Sequence, residues 1–370
     1  MEQKPIRVAQ IVGKWLGGGV ESFIMNYYRN IDREKIQFDF IIDSDSTVVP
    51  KEEIEKMGGR IIKIPPYQNL IKYMISLIKI FKENNYKIVQ SHLNSLSVFP
   101  LFCAYVSNVP VRIAHSHSTT NRKEWKKNII KMILKPFSKV FATNYFACTA
   151  HAAKWLFGKK CFKDGKVRII NNAINIRKFT YDEMVREKIR KELQIENKVV
   201  YGHVGRFVKQ KNHIFLINVY KEILQQNENS MLLLIGDGPL EEKIRKLVKE
   251  YEIDNKVMFL GIKENVNEIM QALDYFIFPS LYEGLGMVAI EAQCSNLPVI
   301  VSDKVPKDVF ITDNIISIPL SFKKEIWAEI ILKRNFQSRN DMKVKIASSG
   351  FDITVEKNRL QEIYLELVRK

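Results

Sequence analysis

The chain has 370 residues, which suggests about two domains, each large enough to bury its own core. Its 46% hydrophobic and 27% charged residues are typical of a soluble protein, and its longest nearly uncharged apolar stretch, residues 96–106, is far shorter than the ~20 residues that cross a bilayer. The formal net charge of +17 lies in the first half, since residues 1–178 carry 30 Lys and Arg against 13 Asp and Glu, whereas residues 179–370 carry 28 of each. Such a one-sided field attracts polyanions, such as anionic lipid head groups, lipid-linked pyrophosphates or nucleic acid.

The cysteine pattern and the N-terminus both indicate a cytoplasmic protein. The four cysteines, Cys103, Cys148, Cys161 and Cys294, show no paired or metal-like spacing, so we expect reduced thiols. No signal sequence precedes the first predicted strand at residues 6–12.

The first predicted strand leads into a glycine-rich turn that contains Gly17, Gly18 and Gly19, and a helical pattern follows over residues 22–28. Strand, glycine turn and helix form the first unit of a doubly wound sheet, whose ligand crevice lies at the carboxyl end of the strand. The glycine spacing differs from G-x-G-x-x-G, which argues against a dinucleotide site. Further strands are predicted at residues 38–42, 60–64 and from 88, with helices at 52–57 and 70–82.

Three histidines follow predicted strands of this half. His92 comes after the strand that begins at residue 88, and it is either a contact to a bound ligand or a structural imidazole. The strand that begins at residue 111 ends at His115 and His117, and alternation directs both side chains to the same face. Two histidines at this spacing could bind a metal, but no third ligand is suggested nearby. A neutral imidazole could instead form a hydrogen bond to a bound ligand and stabilise developing charge.

Residues 121–141 combine a basic stripe with an apolar stripe at helical spacing, and Pro136 should kink or divide this helix. Such a helix is typical of a membrane interface, although a surface helix packed on its own domain has the same pattern. The candidate membrane contacts are Lys123, Trp125, Lys127 and Lys131.

The second half begins after predicted strands at residues 146–150 and 167–170. A strand at residues 199–204 precedes Gly205, Arg206 and Lys211, and a helix follows over residues 214–224. Two cations near the start of a helix suit a diphosphate, whereas the alternative is an ordinary pair of surface charges. Strands at residues 231–235 and 257–261 follow.

The strongest motif occupies residues 274–301, which predict strand, glycine turn, helix and strand. Glu283 precedes the helix predicted at residues 285–294, and Glu291 lies two turns inside it. Helix N-termini carry partial positive charge and free N–H groups, so a phosphate could bind there. Glu283 could accept hydrogen bonds from sugar hydroxyls, and Glu291 from a ribose. The phosphate would contact Gly284, Leu285, Gly286 and Met287.

Pro279 and Ser280 before this turn, the two glycines within it, and the Leu-Pro-Val-Ile run at residues 297–300 closely resemble the donor-site signature of retaining glycosyltransferases of family 4. The resemblance covers essentially the whole chain and is more specific in its second half. It looks most like the branch that builds bacterial capsular or extracellular polysaccharides. It implies the α/β GT-B fold, with two Rossmann-like doubly wound domains facing across a cleft and a C-terminal helix that crosses back to the N-terminal domain.

The resemblance also implies domain boundaries and roles for further residues. The acceptor domain would comprise residues 1–175 with 354–370, and the donor domain residues 176–353. His117 fits the histidine that faces the reacting sugar better than His115 does, and Arg206 and Lys211 would hold the diphosphate. His92 and His115 are the candidates for the acceptor side. The remaining implied donor contacts are Gly18, Gly19, Gly205, Gly238, Gly261 and Ile262.

No metal or cofactor is expected. Asp43 and Asp45 imitate a D-x-D metal motif, but that motif belongs to the other large glycosyltransferase fold, and Asp and Ser are ordinary turn residues.

The resemblance therefore implies a retaining, metal-independent hexosyltransferase that moves a sugar from a nucleotide diphosphate-sugar, a UDP-sugar by preference, to a glycan or polyprenyl-pyrophosphate-linked acceptor. We expect a cytoplasmic enzyme, peripheral on the inner face of the cell membrane. The alternatives are a sugar-nucleotide epimerase of similar fold and a basic nucleic-acid-binding protein. The latter is disfavoured because no recognisable RNA or DNA module is present.

Overall fold

The computed structural model describes residues 4–117, 132–334, 339 and 341–369. Its framework is two parallel β-sheets. Each sheet belongs to a separate compact unit. The first unit comprises Met1–Ile174 and Gly350–Lys370, and the second comprises Asn175–Ser349.

The first sheet has seven parallel strands in the order β3-β2-β1-β4-β5-β6-β7. The order reverses between β1 and β4, which makes this the switch point of a doubly wound fold. The strands are β1 (Ile6–Gly13), β2 (Ile36–Asp43), β3 (Arg60–Ile64), β4 (Ile88–Ser91), β5 (Val111–Ser116), β6 (Asn144–Ala147) and β7 (Val167–Ile169).

Helices cover both faces of this sheet. One face packs against α1, α2 and α15, and the other packs against α3 to α6. The helix α15 is the C-terminal helix, and its Leu360, Ile363 and Tyr364 share a core with α1, so the prediction that the last helix crosses back to the N-terminal unit is confirmed. The helices of this unit are α1 (Gly19–Asn30), α2 (Lys51–Lys56), α3 (Leu70–Asn84), α4 (Val98–Val106), α5 (Ala150–Phe157), α6 (Lys159–Lys163) and α15 (Ile353–Arg369).

The second sheet repeats the same arrangement with six parallel strands in the order β10-β9-β8-β11-β12-β13. Its switch point lies between β8 and β11. The strands are β8 (Val199–Val204), β9 (Ser230–Ile235), β10 (Val257–Gly261), β11 (Tyr275–Phe278), β12 (Val299–Ser302) and β13 (Ile315–Ile318). Buried side chains of β8 to β13 form a core with α9, α10 and α13. The helices of this unit are α7 (Ile176–Phe179), α8 (Glu183–Glu192), α9 (His213–Gln226), α10 (Glu241–Glu250), α11 (Val266–Ala272), α12 (Met287–Cys294), α13 (Lys324–Leu332) and α14 (Lys343–Ser348).

These observations confirm the predicted α/β class with two Rossmann-like domains, but two predicted boundaries are wrong. The strand expected at residues 146–150 is β6, which ends at Ala147, because the Thr149 side chain accepts a hydrogen bond from Ala152 N and caps α5. The helix expected from residue 285 begins at Met287, because Gly286 adopts a left-handed conformation with φ +93°.

None of the helices in the described part of the chain is long and apolar enough to cross a membrane.

Candidate active site

The candidate donor site lies at the switch point of the second sheet. The strands β8 and β11 are neighbours, and both are parallel, so the loops that follow them emerge at the same edge. In open α/β sheets, ligands bind outside the carboxyl ends of the strands at this point. The two loops contain seven of the predicted site residues: Gly205, Arg206, Lys211, Glu283, Gly284, Leu285 and Gly286.

Backbone hydrogen bonds join the loop after β8 to the loop after β9. Phe207 N donates to Asp237 O at 2.6 Å, and Leu240 N donates to Phe207 O at 3.0 Å. The approach is close because Gly236, at φ +131°, has no side chain, and a Cβ there would overlap the carbonyl oxygen of Gly205. The glycines of these loops thus hold the two strand ends together.

We expect Gly236→Ala to destabilise the second unit by roughly 3 kcal/mol, because backbone strain and a backbone clash each cost about 1–3 kcal/mol. The matched control is Gly261→Ala, since Gly261 has φ +68° and, among the described residues, no atom lies within 4 Å of the position that its Cβ would take. The control should lose only about 1–2 kcal/mol. Urea unfolding of both variants checks this, and equal losses would contradict the close-packing role of Gly236.

A buried ion pair joins the two loops of the switch point. Lys211 Nζ donates to Glu283 Oε1 at 2.7 Å, and the two side chains are only 18% and 7% exposed. Gln210 Nε2 donates to Glu283 Oε2 at 3.3 Å and to Tyr282 O at 3.0 Å. The ring of Phe278 lies 4.6 Å from Lys211 Nζ. The pair therefore fixes the position of both charged groups before any ligand binds. The contribution of Gln210 was missed in the sequence, because nothing in its spacing distinguishes it from a surface residue.

Glu291 lies on α12, close enough to Lys211 for the lysine charge to affect the pKa of its carboxyl group. Burial raises the pKa of Glu291 to about 7, and the positive charge of Lys211 acts in the opposite direction. The side chain is partly exposed, and among the described residues no hydrogen bond occupies its carboxylate. Lys211 thus interacts electrostatically with two carboxylates, one of which is paired and one of which is available to a ligand.

The other predicted donor residues also lie at strand ends of the second sheet. Arg206 is exposed, and within the described ranges its guanidinium forms no hydrogen bond. Gly238 follows β9, where a Cβ would meet the backbone of Phe207. Gly261 ends β10 and accepts a hydrogen bond from Gly236 N at 2.9 Å, and the next residue, Ile262, is 73% exposed.

In the first sheet, the glycine loop connects β1 to α1. Gly17 has a positive φ of +73°, which favours glycine. Gly18, the N-cap residue of α1, has φ −88°, and Gly19 does not have a positive φ either, so neither of these two glycines is required by backbone conformation. Glu21 Oε1 accepts a hydrogen bond from Leu16 N at 2.9 Å and closes the loop. Gly18 and Gly19 are both exposed, which leaves their backbone open to a ligand.

His92, His115 and His117 form one buried cluster at the carboxyl edge of the first sheet. The rings of His115 and His117 stack with centroids 4.0 Å apart, and His92 Nδ1 lies 2.7 Å from His117 Nε2. Burial lowers the pKa of His117 to about 3, and it also lowers the pKa values of His92 and His115 well below the ordinary value. All three imidazoles are therefore neutral at physiological pH.

The expectation that no third ligand lies near His115 and His117 is wrong. His92 comes from the neighbouring strand, and each of the three histidines offers a nitrogen within 4.8 Å of the others. The sequence separates His92 from His115 by a whole strand-helix-strand unit, which hid the contact. His92 and His117 share a hydrogen bond, so one lone pair that a metal would need is already engaged.

Asp43 and Asp45 have different surroundings. Asp43 is buried at the end of β2, and burial raises its pKa to about 6. Asp45 is exposed and pairs with Lys14 at 2.6 Å.

The candidate membrane contacts Lys123, Trp125, Lys127 and Lys131 lie outside the described residues. The segment after them is described, and its residues 135–139 form a short 3₁₀ helix. Its exposed apolar side chains are Met132, Ile133, Phe137 and Val140.

Comparison with known proteins identifies both units. Residues 17–178 match the family described as Glycosyltransferase Family 4, and residues 185–323 match the family described as Glycosyl transferases group 1. The chain is 30% identical to a Bacillus subtilis protein named "Putative glycosyltransferase EpsF", over 98% of this chain and 97% of that one. It is 28% identical to the capsular polysaccharide biosynthesis glycosyltransferase CapH of Staphylococcus aureus, over 97% and 99% of the two chains.

A further relative and a solved structure are also similar. The UDP-Gal:alpha-D-GlcNAc-diphosphoundecaprenol alpha-1,3-galactosyltransferase of Escherichia coli is 26% identical over 80% of each chain. The crystal structure of Anabaena Alr3699/HepE in complex with UDP superposes with a TM-score of 0.79 at 17% identity, covering 98% of this chain and 100% of that one, which shows the shared fold. This chain belongs to the family 4 glycosyltransferases, and it is a glycosyltransferase of the GT-B fold.

Proposed function

We propose that this glycosyltransferase moves a hexosyl group from a UDP-sugar to a hydroxyl of a growing or lipid-linked glycan in bacterial capsular or extracellular polysaccharide synthesis. The observation that carries the proposal is the position of Lys211, paired with Glu283 and close to Glu291, at the switch point of the second sheet. A sugar nucleotide contains a sugar, a diphosphate, a ribose and a base. Two carboxylates suit the hydroxyls of the sugar and the ribose, and a cation suits the diphosphate.

The choice of a UDP-sugar and of a lipid-linked acceptor is supported by similarity. The Escherichia coli relative is named for UDP-Gal and a diphosphoundecaprenol acceptor, and the Anabaena structure contains UDP. The basic first unit suits an acceptor that carries a pyrophosphate, because residues 112–178 contain 16 basic and two acidic residues.

The leaving diphosphate is stabilised by positive groups of the second unit. Arg206 is exposed with its guanidinium unoccupied among the described residues, Lys211 is fixed in place by Glu283, and the free N–H groups of α12 begin after Gly286. Preorganised donors of this kind typically contribute about 10²–10³-fold each to kcat. We infer that these groups neutralise the diphosphate without a metal ion.

Retention of configuration is assigned to attack from the same face. The bond between the anomeric carbon and the diphosphate oxygen breaks, the acceptor oxygen bonds to that carbon, and its proton passes to the departing phosphate oxygen. Both oxygens of Glu283 already accept hydrogen bonds, from Lys211 and Gln210, so this carboxylate is poorly suited to act as a nucleophile. Glu283 instead orients the sugar, and Glu291 binds the ribose. His117, the preferred histidine of the first unit, binds a hydroxyl of the donor sugar, and the acceptor-side candidate His115 stacks beside it. Both ring nitrogens of the other acceptor-side candidate, His92, are already engaged by Gln10 and His117.

The experiment that tests this function is transfer from UDP-sugars to a synthetic polyprenyl-pyrophosphate-linked sugar in buffer containing EDTA. NMR of the product should show an anomeric configuration equal to that of the donor, at a rate that added Mg²⁺ or Mn²⁺ does not raise. An inverted product would refute retention, and an activity restored only by metal would refute metal independence. Formation of an epimerised UDP-sugar without transfer would favour the epimerase alternative.

Membrane contact is proposed for one layer of the first unit. Exposed apolar side chains occur on α3, at Ile71 and Ile75, on α4, at Tyr105, and in the segment after the undescribed residues, at Phe137 and Val140. The helices α3 and α4 pack on the same face of the sheet, and lysines accompany the apolar residues: Lys72, Lys79, Lys82, Lys135 and Lys139. Apolar and basic side chains together suit an anionic bilayer surface.

We expect the double substitution of Phe137 and Val140 by serine to weaken binding to phosphatidylglycerol vesicles about tenfold or more, because burying one large apolar side chain contributes about 1.5–3 kcal/mol. Vesicle co-sedimentation measures this. Val344→Ser is the matched control, since Val344 is 83% exposed but belongs to the second unit, whose net charge is only +2. Equal binding of all three proteins, or equal binding to neutral phosphatidylcholine, would refute this surface.

A further inference from the structure

A network of buried side chains links the C-terminal helix to the histidine cluster. Tyr364 on α15 is fully buried, its hydroxyl donates to Gln90 Oε1 at 2.7 Å, and the same hydroxyl accepts from Gln10 Nε2 at 3.3 Å. Gln10 lies on β1 and Gln90 on β4, the two strands of the switch point. The Tyr364 hydroxyl therefore joins the side-chain amides of Gln10 and Gln90, and the second polar atom of each amide contacts a histidine.

The Gln10 branch leads to His117. Gln10 Oε1 accepts from His92 Nε2 at 2.7 Å, so the proton of this neutral imidazole is on Nε2 and its Nδ1 is a bare lone pair. His92 Nδ1 lies 2.7 Å from His117 Nε2 and accepts a hydrogen bond from its N–H group. His117 Nδ1 is then also a bare lone pair, and it is buried without a partner among the described residues.

The Gln90 branch leads to His115, where the unused ring nitrogen is an N–H group and not a lone pair. Gln90 Nε2 donates to His115 Nδ1 at 2.9 Å, so the proton of this imidazole is on Nε2. His115 Nε2 is likewise buried without a partner in the described part of the chain. The two stacked rings thus offer one unused N–H, on His115, and one unused lone pair, on His117.

The phenol hydroxyl makes these two roles dependent on each other. Suppose that the side-chain amides of Gln10 and Gln90 both turn, so that the oxygen and nitrogen atoms of each amide exchange places. Every hydrogen bond of the network then reverses, and His117 carries the unused N–H while His115 carries the unused lone pair. Turning only Gln90 leaves the Tyr364 proton without an acceptor, and turning only Gln10 directs two carbonyl oxygens at a hydroxyl that has one proton. Each mixed arrangement buries an unpaired polar group, which costs about 1–3 kcal/mol.

We propose that Tyr364 is a positioning residue that couples the tautomers of His115 and His117, so that one ring always offers an N–H and the other a lone pair. A hydroxyl group is the ligand that can both accept from the first and donate to the second. A phosphate or carboxylate oxygen cannot donate to the lone pair. This consequence for sugar binding rests on the proposed function of His117, whereas the coupling itself does not.

NMR of protein labelled with ¹⁵N in the histidine rings tests the coupling, because ring nitrogen shifts distinguish protonated from bare nitrogens. The chain contains six histidines, so the spectrum can be assigned by single substitutions. In the wild type, His117 Nδ1 should be bare and His115 Nε2 protonated. In Tyr364→Phe, each of the two rings should become a mixture of tautomers.

Two further variants make the test specific. Tyr28→Phe is the matched control, because Tyr28 is a buried tyrosine of the same unit whose hydroxyl also donates to a glutamine, Gln37 Oε1, at 2.7 Å. It should lower the melting temperature as Tyr364→Phe does but leave all histidine ring shifts unchanged. Gln90→Met removes both the donor to His115 and the acceptor of the Tyr364 proton, so Tyr364 can donate to Gln10 instead, and the ring shifts of both His115 and His117 should change.

Kinetics separate this inference from the proposed function. Tyr364→Phe should lower kcat about tenfold, the equivalent of one hydrogen bond, with an unchanged KM for the sugar nucleotide. Altered tautomers with unchanged kcat would support the coupling and refute the role of His117 at the sugar. Unchanged histidine shifts in Tyr364→Phe, a proton on Nε2 of one ring and on Nδ1 of the other in the wild type, or altered shifts in Tyr28→Phe would overturn the coupling.

Discussion

Replacing Lys211 by alanine is expected to lower kcat about 100-fold and to weaken UDP binding about tenfold or more. The substitution removes a cation from the diphosphate, and loss of one preorganised donor typically costs about 10²–10³-fold in rate. It also leaves Glu283 buried at 7% exposure with only the Gln210 hydrogen bond, so the carboxylate that orients the sugar is no longer held by its ion pair. Steady-state kinetics with calorimetric titration of UDP measure the two effects separately.

Lys209→Ala is the control for this substitution. Lys209 and Lys211 are the two ends of the short 3₁₀ helix Lys209–Lys211. Lys209 is exposed and forms no ion pair within the described ranges, so both kcat and UDP affinity should stay within about twofold of the wild type. A Lys211→Ala protein that loses activity while binding UDP normally would show that Lys211 acts on Glu283 alone. The diphosphate role would then be wrong.

The affinity for a UDP-sugar is expected to fall about tenfold between pH 8 and pH 6, because Glu291 binds the ribose hydroxyls as a carboxylate. Burial raises the pKa of Glu291 to about 7, so the ionised, binding form is complete above pH 8 and declines as the pH falls through 7. A UDP-sugar is the suitable probe, since its diphosphate keeps the same charge across this range. Titrations at half-unit pH intervals measure the midpoint.

Glu291→Gln should bind less tightly at pH 8, and its affinity should no longer change with pH. The Lys211→Ala protein gives a second check, because Lys211 lowers the pKa of Glu291, so its removal should move the midpoint to higher pH. The same pH dependence in Glu291→Gln as in the wild type would exclude Glu291 as the titrating group.

The sequence allowed the frame of both units to be predicted where apolar runs end at glycines or charges. The strand β8 was predicted over residues 199–204 because its apolar run is bounded by Gly205 and Arg206, and the observed strand has these bounds. The helix α4 was not predicted, because residues 98–106 are apolar on nearly every side and show no amphipathic period. β13, α13 and α14 were missed because the pattern weakens after residue 301.

Side-chain pairing was less predictable than strand order. Lys211 and Glu283 were both expected near a ligand, but their ion pair depends on the side-by-side placement of β8 and β11, which are separated by 70 residues of sequence. Tyr364 and Gln10 are 354 residues apart, and neither carries a motif. Such contacts follow from the topology of the sheet and the return of the last helix.

The central claim is a UDP-sugar site built from Lys211, Glu283 and Glu291, and thermal unfolding with a panel of UDP-, GDP-, ADP- and TDP-sugars in metal-free buffer tests it most directly. A ligand that binds only the folded state must raise the melting temperature. At a hundredfold excess over Kd, the free energy of unfolding increases by about 2.7 kcal/mol. We predict a rise with UDP-sugars that is lost in Glu291→Ala. No rise with any nucleotide, together with stabilisation by anionic vesicles or nucleic acid, would contradict the donor site and place the function in the basic first unit.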